Sequence, residues 1–80
     1  MCLAIPVRIT AIHDDRRATA EVGGIVREID VSLVAPLAVG DHVILHVGVA
    51  LARIDRDAAQ RTLEAMRSAG TLEETLDALR

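Results

Sequence analysis

The segment that decides the fold spans residues 39–54 and reads VGDHVILHVGVALARI. It opens with a Gly-Asp turn and continues from His42 as a strand in which every second side chain is aliphatic, a period that is typical of a half-buried strand. Val43, Leu45 and Val47 share one face of this strand, and Ile44 and His46 share the other. Gly48 interrupts this pattern, which predicts a bulge or a close backbone approach before the strand continues from Val49 to Ile54.

Three further strands are predicted upstream of this segment. The first covers residues 3–12, and the second, at about 18–22, is joined to the third, at about 25–34, by the two-residue hairpin signal Gly23-Gly24. The inward positions of the third strand are Ile29, Val31 and Leu33. Four or five short strands joined by hairpins are typical of a small OB-like antiparallel β-barrel.

The periodicity changes from strand to helix at Asp55. This residue is a suitable N-cap, and apolar residues then recur at spacings of four and three up to Gly70, which is the expected stop. We therefore expect a mainly β fold in which residues 1–80 form a single domain. Its parts are a barrel at 1–54, a helix at 55–69 and a short second helix or tail at 71–80.

The last ten residues open with Thr71 and Glu74 at the spacing of a capping box. They carry a narrow apolar stripe at helical spacing, made of Leu72, Leu76 and Leu79. Because so short a helix is marginal alone, the stripe must pack either on the barrel of its own chain or on a partner protein.

Composition limits the classes of function. Hydrophobic residues make up 51% of the chain but none is aromatic, so the core is aliphatic and a deep small-molecule pocket is disfavoured. We therefore expect a protein that is not an enzyme. A net charge of −3 without aromatic stacking platforms also argues against nucleic acid as a partner.

The same reading predicts a location in the cytoplasm and no association with membranes. No stretch approaches the ~20 apolar residues that span a bilayer. The opening residues lack the basic region of a secretory signal. A single cysteine fits a reducing compartment, since it cannot form an internal disulfide.

The candidate reactive groups are Cys2 and three histidines. If the initiator methionine is removed, the Cys2 thiol lies beside a free α-amine, which lowers the thiol pKa and favours metal binding or nucleophilic attack. The alternative is a small buried hydrophobic residue. Of the histidines, His13 lies in a polar turn and His42 at the start of a strand. His46 is predicted in mid-strand, where it is either a hydrogen-bonded structural residue or a partner of Cys2 across neighbouring strands.

Three stretches of the sequence carry a resemblance to a known family. They are MCLAIP at residues 1–6, GIVREI at 24–29 leading into Leu33-Val34, and VGDHVILHVGVA at 39–50. In order and spacing, over about residues 1–66, the chain resembles the hydrogenase assembly chaperones of the HypC/HupF type. It departs from their pattern at Val7, where glycine is frequent, and at Val49, where phenylalanine is common.

The resemblance implies an OB-like barrel with a C-terminal helix and a role in building [NiFe]-hydrogenases. Such a protein joins a HypD-type iron–sulfur partner and escorts iron, as the Fe(CN)2CO fragment, to the precursor of the hydrogenase large subunit. By resemblance, Cys2 and His46 would be the metal-binding residues. The segment predicted to contact the partner is Cys2, Leu3, Ala4, Ile5 and Pro6.

Two other functions remain open at this point. A nucleic-acid-binding OB domain would need a basic face with aromatic residues, which this sequence does not supply. A purely structural interaction module would work through the Leu72–Leu76–Leu79 stripe and would leave Cys2 without a role.

Overall fold

A computed structural model of the chain describes residues 4–80. Within this range, five strands precede two helices: β1 Ile5–Ile12, β2 Arg17–Val22, β3 Ile25–Asp30, β4 His42–His46, β5 Val49–Ile54, α1 Arg56–Ala69 and α2 Leu72–Leu79. The strands close into a barrel in the order β1-β2-β3-β5-β4, with β4 returning to β1. The predicted mainly β fold, an OB-like barrel followed by C-terminal helices, is confirmed. That residues 1–80 form one domain stays a prediction.

The barrel is paired unevenly around its circumference. The β1–β2, β2–β3, β4–β5 and β1–β4 pairs are antiparallel, and the β1–β4 pair begins with Ile5 opposite Leu45. The register shifts between Ile9 and Ala11 in the β1–β2 pair and between Ile44 and Leu45 in the β4–β5 pair. The β3–β5 pair is parallel and, in the described chain, consists of Asp30 opposite Val49. We call this junction, between the last residue of β3 and the first residue of β5, the seam.

The core is aliphatic and follows the predicted alternation. Its strand residues are Ile5, Val7, Ile9, Ala18, Ala20, Val22, Ile29, Val43, Leu45 and Ala50, all buried. Ala18 and Ala20 of β2 belong to the same buried cluster as the larger Ile, Leu and Val side chains of β1, β3 and β4. The core therefore depends on shape complementarity among Ile, Leu and Val rather than on rings.

The third strand is shorter than the sequence pattern predicted. It ends at Asp30, whose Oδ1 accepts hydrogen bonds from the Ser32 backbone N–H (2.9 Å) and hydroxyl (2.7 Å). This local turn directs the chain away from the sheet. Val31 stays buried as predicted, but the prediction that Leu33 faces inward is wrong, because 68% of Leu33 is exposed.

The fourth strand also ends earlier than predicted. The prediction that Val47 shares a face with Val43 and Leu45 is wrong, because those two residues are buried whereas Val47 is 81% exposed and has a φ of 52°. With Gly48, at φ 80°, it forms a two-residue turn between β4 and β5, as positive φ at both central positions of a tight hairpin allows. Of the two alternatives predicted for Gly48, the bulge is therefore wrong, whereas a close backbone approach is found, since the Gly48 carbonyl accepts a hydrogen bond from the Asp30 backbone N–H (2.9 Å). A Cβ on Gly48 would meet no atom within 4 Å, so the turn conformation, not crowding, favours glycine there.

Helix α1 has the ends that the sequence predicts. The Asp55 side chain accepts a hydrogen bond from the Ala58 backbone N–H (3.2 Å), and Gly70 ends the helix in the left-handed conformation. The helix packs against β1 through buried Ala59 and the partly buried Leu63 and Met66.

Helix α2 packs on the barrel of its own chain. Leu72 and Leu76 are buried in the barrel core, and Leu79 packs against it. Of the two alternatives for the apolar stripe, the structure therefore has the intramolecular one. The predicted capping box is wrong, since the Thr71 hydroxyl donates to the Met66 carbonyl (3.3 Å) instead of capping α2. Across residues 4–80, no helix is long and apolar enough to cross a membrane.

Candidate functional site

The predicted partner-binding segment lies at and before the start of β1. Cys2 and Leu3 lie outside the described residues, so their predicted roles stay predictions. Ala4 is half-buried, whereas Ile5 and Pro6 are fully buried. Ile5 faces the core, and Pro6, on the opposite parity, shares a small cleft with Leu63 of α1. Ile5 and Pro6 thus anchor the beginning of β1.

His46 is the last residue of β4 and is half-buried. It lies opposite Val49 across the turn, on the outward face, because its neighbour Leu45 points into the core. Within residues 4–80 its ring has no hydrogen-bond partner in the structure. His46 therefore lies at the end of β4, beside the β4–β5 turn, and not in mid-strand as predicted. The alternative of a structural histidine held by a hydrogen bond to another residue is not seen within residues 4–80.

The register between β1 and β4 brings His46 close to the start of the chain. Ile5 lies opposite Leu45, and one further step of the same antiparallel register leads to Ala4 and His46. The predicted adjacency of the two strands is therefore observed. The predicted encounter of Cys2 with His46 remains a prediction, because Cys2 is not described.

The other two histidines lie elsewhere. His13 is exposed in the β1–β2 turn, with its Nε2 2.8 Å from the Thr19 hydroxyl oxygen. His42 begins β4, four residues before His46 and on the same face, so roughly 13 Å of strand separates them. Among the described residues, no three His, Cys, Asp or Glu side chains are grouped as a metal site would require.

A cleft of about 340 Å³ opens beside the β4–β5 turn. Its lining comes from β3, the β4–β5 hairpin and the end of α2: Arg27, Glu28, Ile29, Leu45, Val47, Gly48, Ala78 and Leu79. Sequence reasoning missed this cleft because its walls are far apart in the chain. The sequence signal that could have indicated the cleft is Val47 directly before Gly48, an apolar residue at a possible turn.

Asp30 holds the seam that borders this cleft. Its backbone N–H donates to the Gly48 carbonyl (2.9 Å), linking β3 to the β4–β5 turn. The hydroxyl of Ser32, and then its backbone N–H, hydrogen-bond to the Asp30 carboxylate and hold its pKa below the usual value. The carboxylate thereby orders the turn that follows β3, while the backbone N–H of the same residue links the end of β3 to the β4–β5 turn.

A larger cleft, of about 590 Å³, lies away from His46. The β1–β2 turn and the loop after β3 line it, through residues that include Asp14, Arg16, Val31 and Leu37. Hydrogen bonds from the backbone N–H groups of Arg16 and Arg17 lower the pKa of Asp14 there. These bonds order the turn itself, and no histidine lines the cleft.

Comparison with known proteins places the chain among hydrogenase assembly proteins. The model of the HupF/HypC family matches residues 1–66. The chain is 50% identical over 74 residues to the hydrogenase maturation factor HypC of Azotobacter chroococcum mcd 1, covering 92% of this chain and 88% of that protein. It is 45% identical over 67 residues to HypC of Rhizobium leguminosarum bv. viciae, covering 84% and 89%. It is 38% identical over 74 residues to the hydrogenase maturation factor HybG of Escherichia coli K12, covering 84% and 89%. The chain belongs to the HupF/HypC family.

Proposed function

We propose that this protein carries the Fe(CN)2CO fragment from a HypD-type iron–sulfur protein to the precursor of a [NiFe]-hydrogenase large subunit. Cys2, exposed by removal of the initiator methionine, binds the iron, and His46 assists as a second ligand or as an orienting group. The iron fragment is cargo in this proposal. The protein itself holds and transfers it without acting as an enzyme.

The family supports the coarser part of this function directly. The relatives are named hydrogenase maturation factors and match this chain over most of both lengths. This protein is accordingly a maturation chaperone of the HypC type. The cargo, the donor and the acceptor are the parts that we propose.

The position of His46 is the observation that carries the proposed site. One step beyond the Ile5–Leu45 pair, the same register leads to Ala4 and His46, and Cys2 is two residues before Ala4 in the sequence. Two residues of chain reach at most about 7 Å from one Cα to the other. We therefore propose His46, and not His13 or His42, as the partner of Cys2, because His42 lies opposite Arg8, farther along β1.

The chemistry of the two side chains supports the same pairing. A thiolate is a soft ligand suited to low-valent iron that already carries cyanide and carbon monoxide, and imidazole is a common second donor to iron. The thiolate forms more readily beside a protonated α-amine, which is present if the methionine is removed. Few protein ligands also suit a cargo that must leave again.

The decisive test is infrared spectroscopy of the protein co-produced with its HypD-type partner. The wild-type protein should show cyanide and carbonyl stretches from the bound fragment, and mass spectrometry should show that the initiator methionine is absent. Cys2→Ala should abolish these bands because the anchoring sulfur is lost. His46→Ala should shift or weaken them.

His42→Ala is the matched control, because His42 occupies the same strand and face as His46. It should leave the bands unchanged. Circular dichroism of each variant checks that the barrel is intact. Unaltered bands in folded Cys2→Ala would rule out the ligand role, as would full hydrogenase maturation by a protein that keeps its initiator methionine.

A further inference from the structure

The pairing of β1 with β4 reaches almost to the start of the described chain. The Ile9 N–H donates to the Asp41 carbonyl (2.8 Å), so the backbone groups of Ile9, and of Ile5 with the same parity, are directed at β4. Two further steps of this register lead from Ile5 to Leu3 on one strand and to Val47 on the other. Leu3 lies before the described residues, so its place is inferred from the strand that it would continue.

The backbone N–H of Val47 is directed at the line along which β1 would continue. His46 and Val49 close a two-residue turn, in which the carbonyl before the turn accepts a hydrogen bond from the N–H after it. The His46 carbonyl is therefore directed at β5. Because the peptide group is planar and trans, the Val47 N–H in the same group is directed the opposite way, toward β1. Within residues 4–80 this N–H has no hydrogen-bond partner.

The 340 Å³ cleft offers an apolar site for a side chain at position 3. Leu45, the residue opposite Ile5, lines the cleft together with Val47 and Leu79. In a continued β1, the side chain of Leu3 would be on the same face as that of Ile5, which is buried in the core. Two residues of extended chain span at most about 7 Å, which brings a leucine side chain within reach of this lining.

We propose that Leu3 continues β1 by pairing with Val47, and that its side chain occupies the cleft. The inference rests on the proposed function, because its consequence concerns Cys2. With Leu3 directed inward, Cys2 has the parity of Ala4 and its thiol is on the outward face, where His46 lies. Cys2 and His46 are then diagonal neighbours about 7–8 Å apart, which allows both to reach one iron. Leu3 is thus a positioning residue for the iron-binding thiol.

The residue of the same chain is a better occupant of the cleft than a leucine of another molecule. Leu3 is joined through one residue to Ile5 and Pro6, which are buried and fix the beginning of β1. It therefore meets the cleft at a high effective concentration and without the loss of translational freedom that association requires. A leucine from a second copy of the chain would lose this advantage.

Nuclear magnetic resonance of the iron-free protein, after removal of the initiator methionine, tests this placement. We expect nuclear Overhauser contacts from the Leu3 methyl groups to those of Leu45 and Leu79. Leu3→Asp should make the Val47 amide exchange its hydrogen roughly tenfold faster, because a charged side chain is not held in an aliphatic cleft. Leu3→Met keeps an apolar side chain and should retain the slow exchange. Absent contacts and equal exchange in all three proteins would overturn the inference.

A second pair of variants tests the cleft without altering the start of the chain. Ala78→Arg would fill the cleft from an exposed position of α2, and Ala65→Arg is its control at an exposed position of α1 outside the cleft. The first should accelerate exchange at the Val47 amide as Leu3→Asp does, and the second should not. Circular dichroism of each variant checks that the barrel is intact.

Infrared spectroscopy of the protein co-produced with its HypD-type partner tests the positioning role. Leu3→Asp and Ala78→Arg should each reduce the cyanide and carbonyl bands by roughly threefold or more, because Cys2 is no longer held on the face of His46. Leu3→Met and Ala65→Arg should match the wild type. Ala78→Arg acts from α2, so it separates the loss of the cleft from the effect of a charge next to Cys2.

The outcomes separate this inference from the proposed function. Unaltered bands in folded Leu3→Asp and Ala78→Arg, with faster exchange at Val47, would overturn the positioning role and leave the carrier function intact. If the wild-type protein shows no bands, the proposed function fails and the positioning role fails with it. If light scattering shows a dimer in which the Leu3 contacts run between two copies, the assignment of the cleft to the same chain is wrong.

Discussion

Val47 is the residue whose conformation departs most from its sequence preference. A β-branched side chain at a φ of 52° is strained, because the left-handed region places Cβ close to the backbone carbonyl. Most of the side chain is exposed, so packing in the free protein does not offset this strain. The position instead contributes an apolar wall to the cleft beside His46.

Val47→Asn should therefore stabilise the protein. Asparagine tolerates the left-handed conformation, and Asn-Gly is the preferred pair for this type of turn. We expect the free energy of unfolding to rise by about 1 kcal/mol, measured by urea denaturation. Val26→Asn, at an exposed position in a strand, is the control and should give no increase. An unchanged midpoint in Val47→Asn would mean that the strain at this residue is negligible.

At the scale of elements, hydrogen bonds at their ends decide where strands and helices stop. Periodicity identified β1, β2, β4 and α1, because alternation and helical spacing persist through them. It overextended β3 and β4, since Leu33 and Val47 continue an alternating pattern after the backbone has turned. The Asp30–Ser32 turn has a recognisable sequence signal, whereas Val47-Gly48 is not a typical hairpin pair.

The two helices also differ in how their N-termini are capped. Asp55 accepts a hydrogen bond from the Ala58 N–H, whereas Thr71 makes no capping bond to α2. The capping-box pattern at Thr71 failed because its hydroxyl bonds back to the Met66 carbonyl of α1. A capping-box motif predicts where a helix begins. It does not predict whether a carbonyl of the preceding helix, here that of Met66, competes for the hydroxyl.

Asp55→Ala should lower the free energy of unfolding by about 1 kcal/mol, as expected for loss of an N-cap. Thr71→Ala is the matched substitution at the other helix and should cost less than half as much, since its exposed hydrogen bond is replaced by water. Urea denaturation of both variants gives the comparison. Equal losses of unfolding free energy in the two variants would show that the Asp55 side chain does not stabilise α1 as an N-cap.

At the scale of the whole molecule, α2 belongs to the barrel and not to a free docking surface. Leu76 is 5% exposed, and its Cδ1 atom would be only 3.1 Å from a Cβ placed on Gly23 in the β2–β3 turn, closer than an ordinary van der Waals contact. The helix thereby covers one opening of the barrel. The leucine stripe of α2 could therefore bind another protein, as the interaction-module hypothesis requires, only if α2 left the barrel.

Leu76→Ala should accordingly destabilise the protein by about 2–4 kcal/mol, because it leaves a cavity between α2 and the barrel. Leu33→Ala, at an exposed leucine, should change the unfolding free energy by no more than about 0.5 kcal/mol. Chemical denaturation followed by circular dichroism measures both. A neutral Leu76→Ala would indicate that α2 does not contribute to the folded core.

Sequence reasoning predicted the barrel and its helices better than the surroundings of the site. Local alternation does not encode which strands become neighbours, so the single-pair seam at Asp30 and Val49 could not be foreseen. For the same reason, the cleft between β3, the β4–β5 turn and α2 was missed. His46 was named as a candidate metal-binding residue by resemblance. Its position at the end of β4 could not be predicted, because it depends on the backbone turn at Val47.

The pairing of Ile5 with Leu45 has a consequence for how the protein is made. The two residues are forty positions apart, so β1 leaves the ribosome long before the strand that fixes its beginning. A nascent chain that does not yet include β4 lacks both His46 and the strand with which the start of β1 pairs. The start of β1 can therefore pair only after synthesis has passed β4, so an unfinished chain lacks the end of the barrel to which we assign the iron fragment in our proposal.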